Sequence, residues 1–326
     1  MIPDWRILAE NRDITTAFAR RLLTLRLLDK SGMEADQLEL SVFDDGSIAL
    51  PARGVRLSLA IGWKGESLVD KGRFVVDEIG HEGPPDVIRI TARSADFQGA
   101  LKDQREASYE ATNIGSVLGS IAERHGLASA IHPDLAAIAI DHIDQTNESD
   151  LNFISRLGED HDALSTIKAG RLLFLPAASG VTASGATLPS LTINRRDSDR
   201  HSFRTSDREG STTGIAAKWH NLSTGSTETV IAGREGGSVK TLKKIYTSSK
   251  DAEDAAAAAW KQRQRGANEL TLSLALGKPD LCAGMPLNLV GWPPEICRMN
   301  WIAENVTHAI DGSGGFTTDI SACEKV

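Results

Sequence analysis

The feature that most constrains this chain is an ordered internal repeat of alternating apolar residues. Leu38-Glu39-Leu40-Ser41-Val42 resembles Leu270-Thr271-Leu272-Ser273-Leu274. Gly54-x-x-Leu57-x-Leu59, running to Gly62-Trp63, is matched by Gly284-x-x-Leu287-x-Leu289, running to Gly291-Trp292. Phe74, Glu78 and His81 then recur approximately as Trp301, Glu304 and His308 if single-residue gaps are allowed. A period of two puts successive side chains on opposite faces, so each run reads as a half-buried strand. Any two half-buried sheets share such a pattern, which leaves chance convergence as the competing explanation. The shared order and the Gly-Trp endings favour duplication.

The repeat frames three regions. Residues 1–98 form a first β-domain in which Val55, Leu57, Leu59 and Ile61 alternate with Arg56, Ser58 and Ala60. Gly32, Asp44-Asp45-Gly46 and Gly83-Pro84-Pro85 supply its turns. Residues 99–180 change character. Ile114, Val117, Leu118 and Ile121 keep helical spacing, with Thr112 as candidate N-cap and Gly126 placed for a left-handed C-terminal turn. A second helix is expected from Asn147, capped by its own side chain, with Asp150 in the first turn and Leu151, Ile154 and Leu157 as the apolar stripe. A strand pair about Ala169-Gly170 completes an inserted α/β region. Residues 181–326 return to strands, interrupted by a helix at about 250–265. Ser248 or Ser249 begins it, Asp251, Glu253 and Asp254 lie in its first turn, and Arg263 and Arg265 lie near its end, which suits the helix dipole. The resulting fold class is mainly β with an α/β insertion.

Composition removes several alternatives. With 326 residues, 40% of them hydrophobic and 25% charged, the chain has the make-up of a folded protein of about two domains. A net charge of -8 lacks the basic footprint that phosphate neutralisation requires, so specific nucleic-acid binding is not expected. Cys282, Cys297 and Cys323 do not make a disulfide framework, which fits synthesis in a reducing cytosol. Met1-Ile2-Pro3-Asp4-Trp5-Arg6 has no basic-then-apolar pattern, and Leu22–Leu28 is broken by Arg26. Neither an export signal nor a membrane anchor is expected.

The segment Gln145-x-Asn147-Glu148-Ser149-Asp150-Leu151-x-Phe153-Ile154-x-Arg156-Leu157 resembles the signature of the phage late control protein D family. Val117-Leu118-x-x-Ile121-Ala122-x-x-His125-Gly126-Leu127 and Ser206-Asp207-Arg208 to Ala217-x-Trp219-His220 are similar to that family too, so the resemblance covers nearly the whole chain. These are baseplate hub proteins of contractile phage tails, related to the head region of VgrG-type spikes. The resemblance implies two tail-tube-like antiparallel β-barrels with an inserted α/β portion. It also implies a homotrimer that joins the tail tube protein to the central spike and meets other baseplate proteins in the virion or injection particle. Because the sequence stops at Val326, a separately encoded spike is expected. The repeat adds that three chains would offer six similar units to a sixfold tube.

Site chemistry in the sequence is sparse, and no catalytic, cofactor-binding or metal residue is assigned. Tail-associated peptidoglycan hydrolases use two carboxylates across a cleft, which makes Glu148, Asp150, Glu159 and Asp160 the runner-up set. First-turn acids at a helix start explain Glu148 and Asp150 without catalysis. A carbohydrate-binding tail module is the other alternative. His125, His132 and His142, or Glu159-Asp160-His161-Asp162, lack a closed metal-ligand spacing. Gly233-Arg234-Glu235-Gly236-Gly237 and Gly312-Ser313-Gly314-Gly315 read as loops, and Arg195-Arg196-Asp197-Ser198-Asp199-Arg200 as a solvated loop or a protein contact. Trp5, Trp63, Trp219, Trp260, Trp292 and Trp301 are candidate interface anchors or core residues.

Overall fold

The computed structural model describes all residues except 48, 95–98, 206–211, 235–236, 314 and 326. The Ser206-Asp207-Arg208 motif and parts of both glycine-rich stretches lie outside the described residues. The first half comprises β1 (Pro3–Ala9), β2 (Arg12–Asp13), α1 (Thr15–Ala19), β3 (Leu22–Lys30), β4 (Gln37–Phe43), β5 (Arg56–Trp63), β6 (Val69–Glu82) and β7 (Val87–Ser94). A middle part follows with β8 (Gln104–Asn113), α2 (Ile114–Arg124), β9 (Ala128–Ile131), α3 (Pro133–Ala136), β10 (Ala139–Ser149), α4 (Asp150–Asp160), β11 (Ala163–Lys168) and β12 (Arg171–Pro176). The second half contains β13 (Leu191–Asn194), β14 (Ser198–Thr205), β15 (Thr212–Asn221), β16 (Ser226–Gly233), β17 (Ser238–Tyr246) and α5 (Ser249–Arg265). It ends with β18 (Asn268–Leu274), β19 (Pro286–Val290), α6 (Pro294–Cys297), β20 (Trp301–Asp311) and β21 (Phe316–Glu324).

The alternating runs form strands because each has one face to bury, and the two halves bury them in the same order. The first half reads β3-β4-β7-β6-β5-β1 across its sheet, and the second reads β14-β18-β21-β20-β19-β13. The match extends to irregularities in the ladders. A bulge falls between Leu22 and Thr24 in β3 and between Ser198 and Arg200 in β14. Another falls between Val76 and Glu78 in β6 and between Ala303 and Asn305 in β20. Bulges are positioned features of a ladder, so their coincidence argues for duplication over chance alternation. The bulge also corrects the sequence alignment. His81 and His308 correspond without any gap, and the mate of Glu304 is Asp77, not Glu78. One pairing differs, since β1 is antiparallel to β5 whereas β13 is parallel to β19.

The halves are fused into one sheet by antiparallel pairing of β20 with β3. Leu25, Leu27, Leu38, Leu40, Ile61 and Phe74 fill the first core, which also takes in Ile310 and Phe316 from the second half. Leu270, Leu272, Leu287, Trp301 and Val306 fill the second. Phe74 and its mate Trp301 are both 1% exposed, and burial of each such side chain contributes about 1.5–3 kcal/mol. Among the described residues neither half closes its hydrogen bonding into a barrel. Among the described residues the main path of the common sheet ends at β2 and β14, and a branch from β20 through β19 ends at β13.

The middle part has its own core, with Val117, Leu118, Ile121, Phe153, Ile154 and Leu157 of α2 and α4 packed on Ile167, Leu172 and Phe174. Ala169 and Gly170 both take positive φ, making the two-residue hairpin that the sequence signals. Gly126 is left-handed as expected, and Leu127 N–H bonds the Ala122 carbonyl while Gly126 N–H bonds that of Glu123. Two caps differ from expectation. Asn113, not Thr112, caps α2 by accepting from Ser116 N, and Ser149, not Asn147, caps α4 by accepting from Asn152 N. Asn147 instead takes a positive φ of 49° at a bulge in β10, which keeps the chain extended for two more residues. Ser248 caps α5, whose alanines pack with Ile215, Ala217 and Tyr246 of the small β16-β15-β17 sheet in a fourth core. The charged stretch from Arg195 is not a loop. After one helical turn capped at Asn194 it enters β14, because Ser198 is buried and the ladder to β18 starts there.

Candidate functional site

The signature residues converge on one buried carboxylate. Asp150, at the first position of α4, is fully buried. Its oxygens accept from Gln145 Nε2 at 2.8 Å, Arg124 Nη1 at 2.8 Å and His125 Nε2 at 2.7 Å. Burial pushes the Asp150 carboxyl up, but the bonds from Gln145, His125 and Arg124 outweigh it and hold it below its ordinary value. Gln145 Nε2 also donates to the Glu148 carbonyl at 2.9 Å, which holds the bulge formed at Asn147 against the helix start. Glu148 accepts from Arg156 at 2.7 Å, and that guanidinium lies 5.0 Å over the ring of Phe153. Phe153 and Leu157 are buried and Leu151 half-buried on the same helix. The signature thus encodes a polar lock of α4 onto α2 and β10.

The remaining candidate carboxylates are spread along surfaces between parts. Asp160 accepts from Lys244 Nζ at 2.6 Å and from Tyr246 OH at 3.4 Å, and Asp162 pairs with Arg265, so both tie the middle part to the α5 unit. Glu159 is exposed. A general acid must carry a proton at neutral pH, which Asp150, held ionised, does not. His142 bonds Asp144 and His132 precedes α3, so the three sequence histidines are not brought together. Among the described residues no group of three metal-binding side chains occurs.

A second polar centre, which the sequence reading missed, sits where the three parts meet. Asp29 on β3 pairs with Lys168 of β11, and its other oxygen accepts from Ala283 N of the second half at 3.0 Å. Lys168 also faces Asp36 at 3.4 Å. Lys71 on β6 donates to the Leu281 carbonyl at 3.0 Å, and burial lowers its pKa. Beside it His308 is fully buried, with Nδ1 at 3.0 Å from Thr318 Oγ1 and Nε2 at 3.1 Å from the Leu281 carbonyl. The one sequence signal was Asp29 itself, an acid placed directly after the apolar Leu27-Leu28. Of the tryptophans, Trp63, Trp292 and Trp301 are buried, and Trp219 and Trp260 pack partly buried around α5.

This arrangement of two like half-sheets carrying a middle α/β part has clear relatives. Residues 36–313 match the model of the phage tail baseplate hub (GPD) family. The chain is 39% identical over 360 aligned positions to the probable baseplate hub protein of Escherichia phage P2, covering 98% of this chain and 92% of that one. In fold it is similar to the tail protein from Neisseria meningitidis MC58, with TM-score 0.72, 9% identity and coverage of 100% and 97%. It is likewise similar to the 43 kDa tail protein of prophage MuSo2 from Shewanella oneidensis, with TM-score 0.67, 15% identity and coverage of 98% and 96%. The chain therefore belongs to the phage tail baseplate hub (GPD) family.

Proposed function

We propose that three copies of this chain form a ring at the centre of a contractile tail baseplate, adapting a sixfold tail tube to a threefold spike. The observation that carries the reading is the strand-for-strand and bulge-for-bulge repeat of the two halves. Two like units per chain make a threefold ring pseudo-sixfold, and closed symmetry requires the same contacts to recur around it. In this reading residues 1–98 and 181–326 supply two tube-like barrel units and residues 99–180 an inserted domain. Assembly takes place in the host cytoplasm, and the product resides in the virion tail or injection particle.

The ends of the sheet are suited to different partners. The turns after β6 and β20 are repeat mates at one end, so a trimer presents six of them there, to the tube. The middle part follows β7 and the α5 unit follows β14, strands that run parallel and end at the opposite side. Those parts occur once per chain and so three times per ring, which fits a separately encoded threefold spike.

The solvent face of the common sheet is the proposed channel wall. Arg26, Glu39, Arg89 and Asp311 stand there among Thr24, Ser41, Thr91 and Thr317, around a hollow of about 460 Å³. Mixed charge would not retain a phosphate backbone as an arginine-lined wall would. Co-expression with tube and spike proteins followed by particle imaging tests the whole reading. A threefold ring with six similar lobes is expected, and a stable dimer or a ring of six chains would overturn it.

A further inference from the structure

We infer that the cavity between the middle part and the second half binds an amphipathic carboxylate, a medium-chain acyl anion whose charged end meets Arg171. The cavity measures about 880 Å³, the size of a ligand pocket, and none of the residues of the Asp150 lock lines it. Strand alternation fixes what its floor presents. Ser165 and Ile167 of β11 turn toward α4 and the middle core. Leu164, Thr166 and Lys168 therefore turn the other way, and they line the cavity with Leu173 and Leu175 of β12. Val181, Leu188 and Ile302 line it from the second half, so most of its wall is apolar.

Charge decides which end of a ligand goes where. Lys168 and Arg171 stand opposite each other in the β11–β12 ladder. Lys168 is drawn to Asp29 and Asp36, Arg265 to Asp162, and Lys30 to Glu34. Arg171 also lines the cavity, and among the described residues its guanidinium has no ion pair or hydrogen bond, which leaves it free to take an anion. Thr166 is its diagonal neighbour across the ladder, a spacing that a long side chain spans. Thr166 is 3% exposed, and its hydroxyl is buried without a partner. A ligand oxygen placed there supplies the bond that a buried hydroxyl requires and stands beside the guanidinium. The site accepts little further negative charge. Glu269 and Glu304 line the same cavity, and burial together with Glu269 pushes the Glu304 carboxyl up. Phosphates and dicarboxylates are disfavoured, and the remaining volume suits an apolar tail over Leu164, Leu173 and Leu175. A ligand that touches both parts stabilises the seat of the middle part, because it binds only when they are docked.

The test is calorimetric titration of the whole chain, washed free of lipid, with decanoate, decanol and decylamine, each below its micelle concentration. Decanoate is expected to bind and to raise the melting temperature, and the other two to bind about tenfold more weakly. Arg171→Gln, at an exposed position, should leave the melting temperature of the unliganded chain unchanged and weaken decanoate about tenfold. Leu173→Trp fills the cavity and should abolish binding; if that variant does not fold, Ala130→Leu fills it from β9. Equal binding of decanol overturns the carboxylate assignment. Decanoate binding untouched by Arg171→Gln and by the filling variant, or no binding at all, overturns the site. The measurement needs no ring of copies, so its failure leaves the hub reading standing.

Discussion

Trp63 Nε1 donates to the carbonyl oxygen of Gly277 at 3.2 Å, joining residues 214 positions apart and clamping the two halves beside the β3–β20 pairing. The ring of Trp63 also lies 5.1 Å from that of Phe316. Trp63→Phe keeps the ring contact and loses the bond, at a cost of about 1 kcal/mol, whereas Trp63→Ala costs about 3–5 kcal/mol. Because the Trp292 indole nitrogen has no acceptor among the described residues, Trp292→Phe should cost the isolated protein less than Trp63→Phe. Urea denaturation of the three variants measures the difference.

Lys168 neutralises Asp29 and Asp36 where the middle part meets the first half. Lys168→Met leaves two acids facing each other in a half-buried site, and a loss of about 3 kcal/mol is expected. Hydrogen exchange should rise first in β11 and at the end of β3. Exchange that rises uniformly over the chain would place the weakest contact elsewhere.

The lock at Asp150 and the surface pair at Glu148 should separate in a thermal melt. Asp150→Ala strands Arg124 and His125 beside a buried gap and should cost about 3–5 kcal/mol. Glu148→Gln removes a partly exposed pair with Arg156 and should cost no more than about 1 kcal/mol. In zymograms on peptidoglycan, neither the parent protein nor Glu148→Gln should clear the gel. A zone that vanished with Glu148 would revive the hydrolase alternative.

Burial, with the positive Lys71 nearby, lowers the pKa of His308 to about 3, from an ordinary 6.5. The unfolded chain therefore binds a proton that the folded chain refuses between those values. Its stabilising effect is complete above about pH 6.5 and declines as pH falls toward 3, at about 1.4 kcal/mol per pH unit within the window. Asp29 is the acid that faces the same site and partly offsets the trend. His308→Asn should flatten the dependence of the urea midpoint on pH between 4 and 6, and an unchanged slope would assign it to other groups.

Much of the local structure was written in short stretches of sequence. Period-two alternation marked β4, β5 and β18. Gly126 stopped α2, Ser248 started α5, and Ala169-Gly170 turned a hairpin, each because a local backbone requirement admits few residue types. The order of the repeated segments also indicated two related halves. The cap of α4 was misplaced by two residues, because Asn147 and Ser149 are both competent caps and only the pairing of β10 with β8 decides between them.

The tertiary structure decided what no local pattern can state. Alternation tells which face of a strand is buried, but edges are made of backbone amides and carbonyls common to every residue, so it does not tell which edges meet. For that reason the pairing of β3 with β20 and the charge cluster at Asp29 and Lys168 emerged only from the fold. The sequence by itself determined two half-buried sheets, their helical insertion and the family signature. Long-range packing determined that the sheets fuse, and that the signature acid Asp150 is locked in the interior by Arg124, His125 and Gln145.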